Sequence, residues 1–318
     1  MTSNVITDST MRDQTTEYTD NLEQYLIQVA RLFDIQRIIN EPQKNPQIIN
    51  YYHSNAFFIY RLFHNWGGFM HCGISYDGRH KKDDFKEQAR IVERYIHDRN
   101  AKKVLELAYG MGANSAFLAG RNPEVMFDAV DLSMKPLKKF TKIPNLHFQF
   151  GDYHDLSGLK DDSYEIIFII EALCHSTNKA LVLREVKKKL KQGGLFIVID
   201  AYRRDCARPL SQSEDVMAQL IEKCFSVDKF ECLEDVEGCM RENYSIVESK
   251  DITQCVLPCM AKGKYVSYYF SHPIFARVAN KLLPFDVMKN TIIALLIEIS
   301  IKRQIACYYI HVIKNDQL

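Results

Sequence analysis

The chain of 318 residues lacks a surplus of charge of either sign, with 41 Lys and Arg against 40 Asp and Glu and a net charge of +1. Without a basic surplus there is no electrostatic footprint for long stretches of phosphate backbone, which argues against nucleic acid as a partner. It also lacks any regular cysteine spacing. Its nine cysteines form no CxxC pair, so a disulfide framework is not indicated, and reduced thiols point to a cytoplasmic protein. Cys255 and Cys259 have no matching His or Cys pair nearby, and no metal is expected. Long apolar runs are missing too: the longest, Ile292–Ile297, is stopped by Glu298, far short of the roughly 20 residues of a transmembrane span. There are no internal repeats. The opening residues are polar and carry acids, unlike a secretory signal or a transit peptide, and are expected to form a loose tail.

What is present suits a large globular core, with 47% hydrophobic and 25% charged residues. Leu22, Tyr25, Leu26, Val29, Leu32 and Phe33 recur at helical spacing, an aromatic-rich segment follows at Ile48–Phe63, and Asp83–Ile96 is amphipathic. From Lys103 the pattern changes. Val104–Leu107, Val125–Val130, Leu146–Phe150, Glu165–Ile170 and Leu195–Ile199 read as strands buried on both faces. Helices are expected between them at Asn114–Leu118, Lys135–Phe140 and Lys179–Leu190, the last stopped by Gly193 and Gly194. A helix around Asp215–Phe225, a strand near Tyr244–Val247, an apolar helix near Asp286–Ile301 and a strand Cys307–Ile313 complete the chain. Such alternation predicts an α/β doubly wound sheet with ligands at the carboxyl ends of the strands.

Glu106-Leu-Ala-Tyr-Gly-Met-Gly112 is a strand entering a glycine-bearing turn before a helix, a setting where backbone N–H groups can approach a nucleotide. Acids then stand at the ends of the next strands: Asp131, positioned to accept ribose hydroxyls, and Asp152, positioned for the amine of an adenine. Singly, each reads better as a helix cap or solvated turn residue. In order they suggest three loops converging on one adenosine, with Glu106, Asp131 and Asp152 facing a single cleft.

With the later Ile170-Glu-Ala-Leu-Cys-His175 and Leu190-Lys-Gln-Gly-Gly-Leu-Phe-Ile-Val-Ile-Asp200, this order resembles the class I S-adenosylmethionine-dependent methyltransferases over Lys103 to Asp200. The first turn lacks the G-x-G-x-x-G of dinucleotide enzymes. The fourth strand lacks the polar-Pro-Pro-aromatic motif of amino-methylating nucleic-acid enzymes. The resemblance implies a mostly parallel seven-stranded sheet of Rossmann-like methyltransferase type, with N-terminal helices and an inserted helical lid. Its divisions are a disordered tail at 1–20, a helical substrate region at 21–100, a cofactor-binding α/β core at 101–250, a lid insert at 251–304, and a final strand and tail at 305–318. It implies S-adenosylmethionine as cofactor, held by Glu106, Leu107, Ala108, Gly110, Gly112, Asp131, Leu132, Asp152, Tyr153 and Glu171. Ala108 and Tyr109 depart from the family's loop. A methyl at Ala108 is tolerated where its φ is negative, and Tyr109 can crowd the space for the methionine moiety.

Glu171-Ala-Leu-Cys-His175, Asn50-Tyr-Tyr52 and Trp66-Gly-Gly-Phe-Met-His-Cys-Gly73 are similar to segments of the sterol side-chain and isoprenoid C-methyltransferases. That likeness implies a small hydrophobic, sterol- or isoprenoid-like acceptor bound by Tyr51, Trp66, Phe69 and Met70, with Glu171, His175, His71, Tyr51 and Tyr52 as catalytic groups. Aromatic faces and a carboxylate stabilise a carbocation, and a histidine removes a proton. The same aromatics serve equally well as core, and the histidines as a helix brace (His175) or a surface residue (His71). O- or N-methylation of a secondary metabolite, and a non-catalytic protein keeping the fold, stay open. The apolar segment after residue 251 can line a pocket, pack on the core, or form a homodimer or peripheral membrane face.

Overall fold

A computed structural model describes residues 22–40, 65, 67–132, 135–270 and 285–316, with side chains described outside 262–270 and 285–290. A seven-stranded sheet runs in the order β3-β2-β1-β4-β5-β7-β6. Its strands are β1 (Lys103–Leu107), β2 (Met126–Asp131), β3 (Leu146–Phe150), β4 (Tyr164–Ile170), β5 (Leu190–Arg203), β6 (Ser245–Asp251) and β7 (Ala306–Lys314). The first five pair in parallel, and β7 inserts antiparallel between β5 and β6. This is the doubly wound, mostly parallel architecture that the strand–helix alternation predicts.

The helices are α1 (residues 22–32), α2 (Ile35–Asn40), α3 (Glu87–Asp98), α4 (Ala113–Arg121), α5 (Lys179–Lys189), α6 (Gln212–Phe225), α7 (Leu233–Arg241), α8 (Thr253–Phe270) and α9 (Phe285–Lys302). Period-two alternation sends strand side chains to opposite faces of the sheet. Ile166, Phe168, Ile170, Ile197 and Ile199 join one cluster with Ala89, Val92 and Leu118 of α3 and α4. Ile167, Ile169, Phe196 and Val198 join the other with Val182, Val186, Val236 and Met240 of α5 and α7. Because both faces are covered, the strands carry unbroken apolar runs rather than an alternating pattern.

A third cluster lies beyond the sheet. Leu22, Val29 and Ile38 pack with Met217, Leu220 and Ile221 of α6 and with Ile292, Leu295 and Leu296 of α9. Of the three uses considered for the apolar 292–297 run, packing therefore takes most of these side chains. Among the described residues no helix is long and apolar enough to cross a membrane.

Three local expectations change. Lys135–Phe140 is not a helix: it is irregular, with one short 3-10 turn at Phe140–Lys142. Gly193 and Gly194 do not stop α5, whose C-cap Leu190 is already extended and starts β5. Instead the pair exchanges backbone hydrogen bonds with Asn315 (2.7 and 2.9 Å), fastening the chain end to the sheet. Helix α7, absent from the sequence reading, begins after Cys232, whose side chain makes no capping bond.

Truncation of Ile197, fully buried at the centre of β5, leaves a cavity under α3 and α4. Ile197→Ala is expected to lower unfolding free energy by about 2–5 kcal/mol, measured by urea titration.

Candidate active site

The turn after β1 bends through three positive-φ residues, Ala108 (+56°), Gly110 (+55°) and Gly112 (+80°). Gly112 is required: an added Cβ would lie 2.6 Å from the Phe148 ring. Ala108 shows the opposite of the negative φ under which its methyl was expected to be tolerated, and left-handed backbone costs a non-glycine residue about 1–2 kcal/mol. Its N–H bonds Val130 O at 2.7 Å. Tyr109 sets its ring edge-on to Phe148, with centroids 4.8 Å apart. Its Oη is buried with no hydrogen-bond partner among the described residues, and the residue lines a cavity.

That cavity, about 290 Å³, opens at the carboxyl ends of β1, β2 and β4. Its lining includes Ala108, Gly110, Asp131, Leu132, Asp152, Tyr153, Glu171, His175, His71 and Met70 from the sequence expectation. Asp131 Oδ2 accepts the Gly110 N–H at 2.8 Å, tying the second strand's acid to the glycine turn. Asp152 Oδ1 accepts from the backbone N–H (2.8 Å) and Nδ1 (2.7 Å) of His154.

Glu106, Leu107 and Gly112 do not line it. The single-cleft expectation for Glu106, Asp131 and Asp152 therefore holds for the two aspartates only. Glu106 is 2% exposed and serves the helix behind the turn: it accepts from Ser115 N (3.1 Å), Ser115 Oγ and Asn114 Nδ2 (3.2 Å). Gly112, the N-cap of α4, has no side chain to cap with, so a carboxylate from the strand below supplies the missing acceptor. Burial pushes the Glu106 carboxyl up to about 7 against the pull of those donors.

Phe69 is also outside the lining, packed with Phe85, Ala113 and Cys259. Tyr51, Tyr52 and Trp66 lie outside the described residues.

Glu171 has φ +48°, a strained position for a non-glycine residue and one that points to function. Its Oε1 accepts from Cys72 N (2.6 Å), Gln88 Nε2 (3.2 Å) and the Tyr308 hydroxyl. Burial raises its pKa, with the neighbouring His71 and those donors opposing.

His71 is buried rather than at the surface. Nδ1 faces Cys72 O and Nε2 faces Asn114 Oδ1, each at 3.0 Å, and Asn114 is oriented by giving its NH₂ to Glu106. Both ring nitrogens are thus already engaged by neighbouring groups. His175 differs. Nδ1 donates to Ser226 O at 3.4 Å, which leaves the lone pair on Nε2, and burial lowers its pKa so that the ring is readily neutral. Asp200, whose charge opposes that lowering, accepts from Cys174 N (2.9 Å) and Ala201 N (2.8 Å). The sequence reading missed Asp200 although it stands at a strand's carboxyl end, the same signal that singled out Asp131 and Asp152. Gln88 and Tyr308 give no local signal.

Residues 105–198 match the family model described as "Methyltransferase domain". The chain is 27% identical over 176 residues to the 2-methyl-6-phytyl-1,4-hydroquinone methyltransferase of Synechocystis, covering 51% of this chain and 54% of that protein. It spans about half the length of the curated relatives it matches. In fold it is similar to a putative sarcosine dimethylglycine methyltransferase from Galdieria sulphuraria, with TM-score 0.63, 17% identity, and 84% of this chain and 100% of that chain covered. It is also similar to geranyl diphosphate C-methyltransferase from Streptomyces coelicolor, with TM-score 0.54, 12% identity, and 82% and 97% covered. The fold is that of the Rossmann-like methyltransferases.

A carboxyl that binds its proton more tightly in the native state lends stability at low pH and loses it as pH rises. For Glu106, stability should be full below about 4.5 and fall toward about 7, by at most on the order of 3 kcal/mol. Glu171, Asp200 and Glu222 shift in the same direction. Glu106→Gln should therefore flatten, without abolishing, the downward slope of unfolding free energy between pH 4.5 and 7 in urea titrations.

Proposed function

We propose that the chain is an S-adenosylmethionine-dependent methyltransferase acting on a small, largely hydrophobic acceptor, with carbon methylation of an isoprenoid-like molecule as the first reading. The observation that carries it is the cavity itself. Asp131, Asp152, Tyr109 and the positive-φ turn residues Ala108 and Gly110 border one space at the carboxyl ends of parallel strands, where ligands of such folds bind. The match over residues 105–198 supports the same reading.

Bound there, S-adenosylmethionine supplies an electrophilic methyl group carried on a sulfonium. The protein's task is then to orient donor and acceptor in line and exclude water. Asp131 and the turn N–H groups suit the ribose and amino-acid ends, and Asp152 and Tyr153 suit the base. Glu171 offers a partly buried carboxylate to the positive charge, and His175 Nε2 a lone pair to an acceptor proton. The phytyl-quinol specificity in the name of the Synechocystis relative supports an apolar acceptor. O- or N-methylation is the second reading, favoured by the neutral His175, which would serve equally well to deprotonate a hydroxyl or an amine.

Calorimetric titration tests the cofactor. Both S-adenosylmethionine and S-adenosylhomocysteine should bind the wild type, and Asp131→Ala should weaken both by about 10- to 100-fold. Glu171→Gln should keep S-adenosylhomocysteine binding within about threefold while labelled-methyl transfer to lipid extracts falls by about 100-fold or more. No heat with either compound would overturn the reading and leave a non-catalytic protein of the same fold.

A further inference from the structure

A second cavity of about 80 Å³ adjoins the first and shares Glu171 and His175 with it. Its floor is the carboxyl end of β5 with Tyr308 of β7, and its roof is α6 and α9, including Ala218, Phe225 and Ile297. Most of its surface is apolar, yet three acidic residues line it: Glu171, Asp200 and Glu222. Among the described residues of that lining Arg203 is the only basic side chain apart from His175, and its charge already acts on Glu222. An apolar chamber lined by three acids and one guanidinium is a poor host for an anion, which would add negative charge where burial already disfavours it. It is a good host for a centre that becomes positive.

On the methyltransferase reading, we infer that this second cavity receives the methyl acceptor. It selects an apolar molecule whose reacting centre is uncharged on entry and positive after attack, and it rejects acceptors bearing a phosphate or carboxylate. The charge balance follows the bonds. The sulfur–methyl bond breaks with its electron pair left on sulfur, and a π pair or lone pair of the acceptor forms the new bond to the methyl carbon, so one positive charge passes from sulfur to acceptor. Glu171, on the wall common to both cavities, faces that charge before and after. Where the acceptor is an alkene, an adjacent proton goes to His175 Nε2 and its C–H pair closes the new double bond. Asp200 then faces the imidazolium.

The test uses the full chain saturated with S-adenosylhomocysteine and four probes of one chain length: N,N-dimethyloctylamine, 1-octanol, octanoate and octyl phosphate. Calorimetry should rank the amine first and 1-octanol second, with both anions at least about tenfold weaker than the alcohol. Asp200→Asn should narrow the gap between amine and alcohol. Ala218→Phe, which fills the chamber, should weaken amine and alcohol by about tenfold or more and leave S-adenosylhomocysteine binding intact. Ile297→Ala, which enlarges the chamber, should shift preference from octyl toward decyl probes, and it provides the same test if Ala218→Phe does not fold. Anions that bind as tightly as 1-octanol, or chamber variants that leave probe binding unchanged, would overturn the inference. A chain that binds the probes in the expected order but not S-adenosylhomocysteine would overturn the methyltransferase reading instead and leave the charge selection standing.

Discussion

The site depends on one partly buried carboxylate. Glu171 sits at the carboxyl end of β4, and three donors from distant parts of the chain meet at a single one of its oxygens: the backbone of Cys72, the amide of Gln88 on α3 and the hydroxyl of Tyr308 on β7. A buried carboxylate without such partners would be costly. With them, the N-terminal segment, the first core helix and the last strand are fastened to the sheet's central edge. The left-handed backbone at Glu171 is a strain that these contacts hold in place. Because Glu171 borders both cavities, the interaction that locks the fold also sets the charge at their common wall.

Around that centre the polar groups form linked series. His71 bonds Asn114, Asn114 bonds Glu106, and Glu106 caps α4 through Ser115. A side chain at the cavity wall is thus joined to the start of the helix behind the glycine turn, so the turn and the wall are positioned together. On the opposite side, His175 and Asp200 meet the roof built by α6 and α9. The helices that follow β6 therefore do two things at once: most of the apolar residues of α9 build the third core cluster, while Ile297 faces the second cavity.

The strands were legible because burial on both faces writes continuous apolar runs into the chain, and the glycine turn because positive φ selects small residues. Acids at strand ends were legible for a similar reason, since the carboxyl edge of a parallel sheet is where polar groups accumulate. Helix α7 was harder to see, with one buried stripe on Val236 and Met240 and no capping side chain. The supposed helix at 135–140 misled because lysines with scattered apolar residues fit a helical period without any face to bury.

Local sequence determined the order of strands and helices, the doubly wound sheet, and the candidacy of Asp131, Asp152, Glu171 and His175. Tertiary structure alone decided which acids share a space. It turned Glu106 toward a helix end and away from the cavity, occupied both nitrogens of His71, left Nε2 of His175 with its lone pair, and brought Asp200, Gln88 and Tyr308 to the site. The reason is physical: a residue's type and spacing fix which strand end it occupies, but its protonation, its partners and the cavity it faces depend on groups that reach it only when segments far apart in the chain pack together.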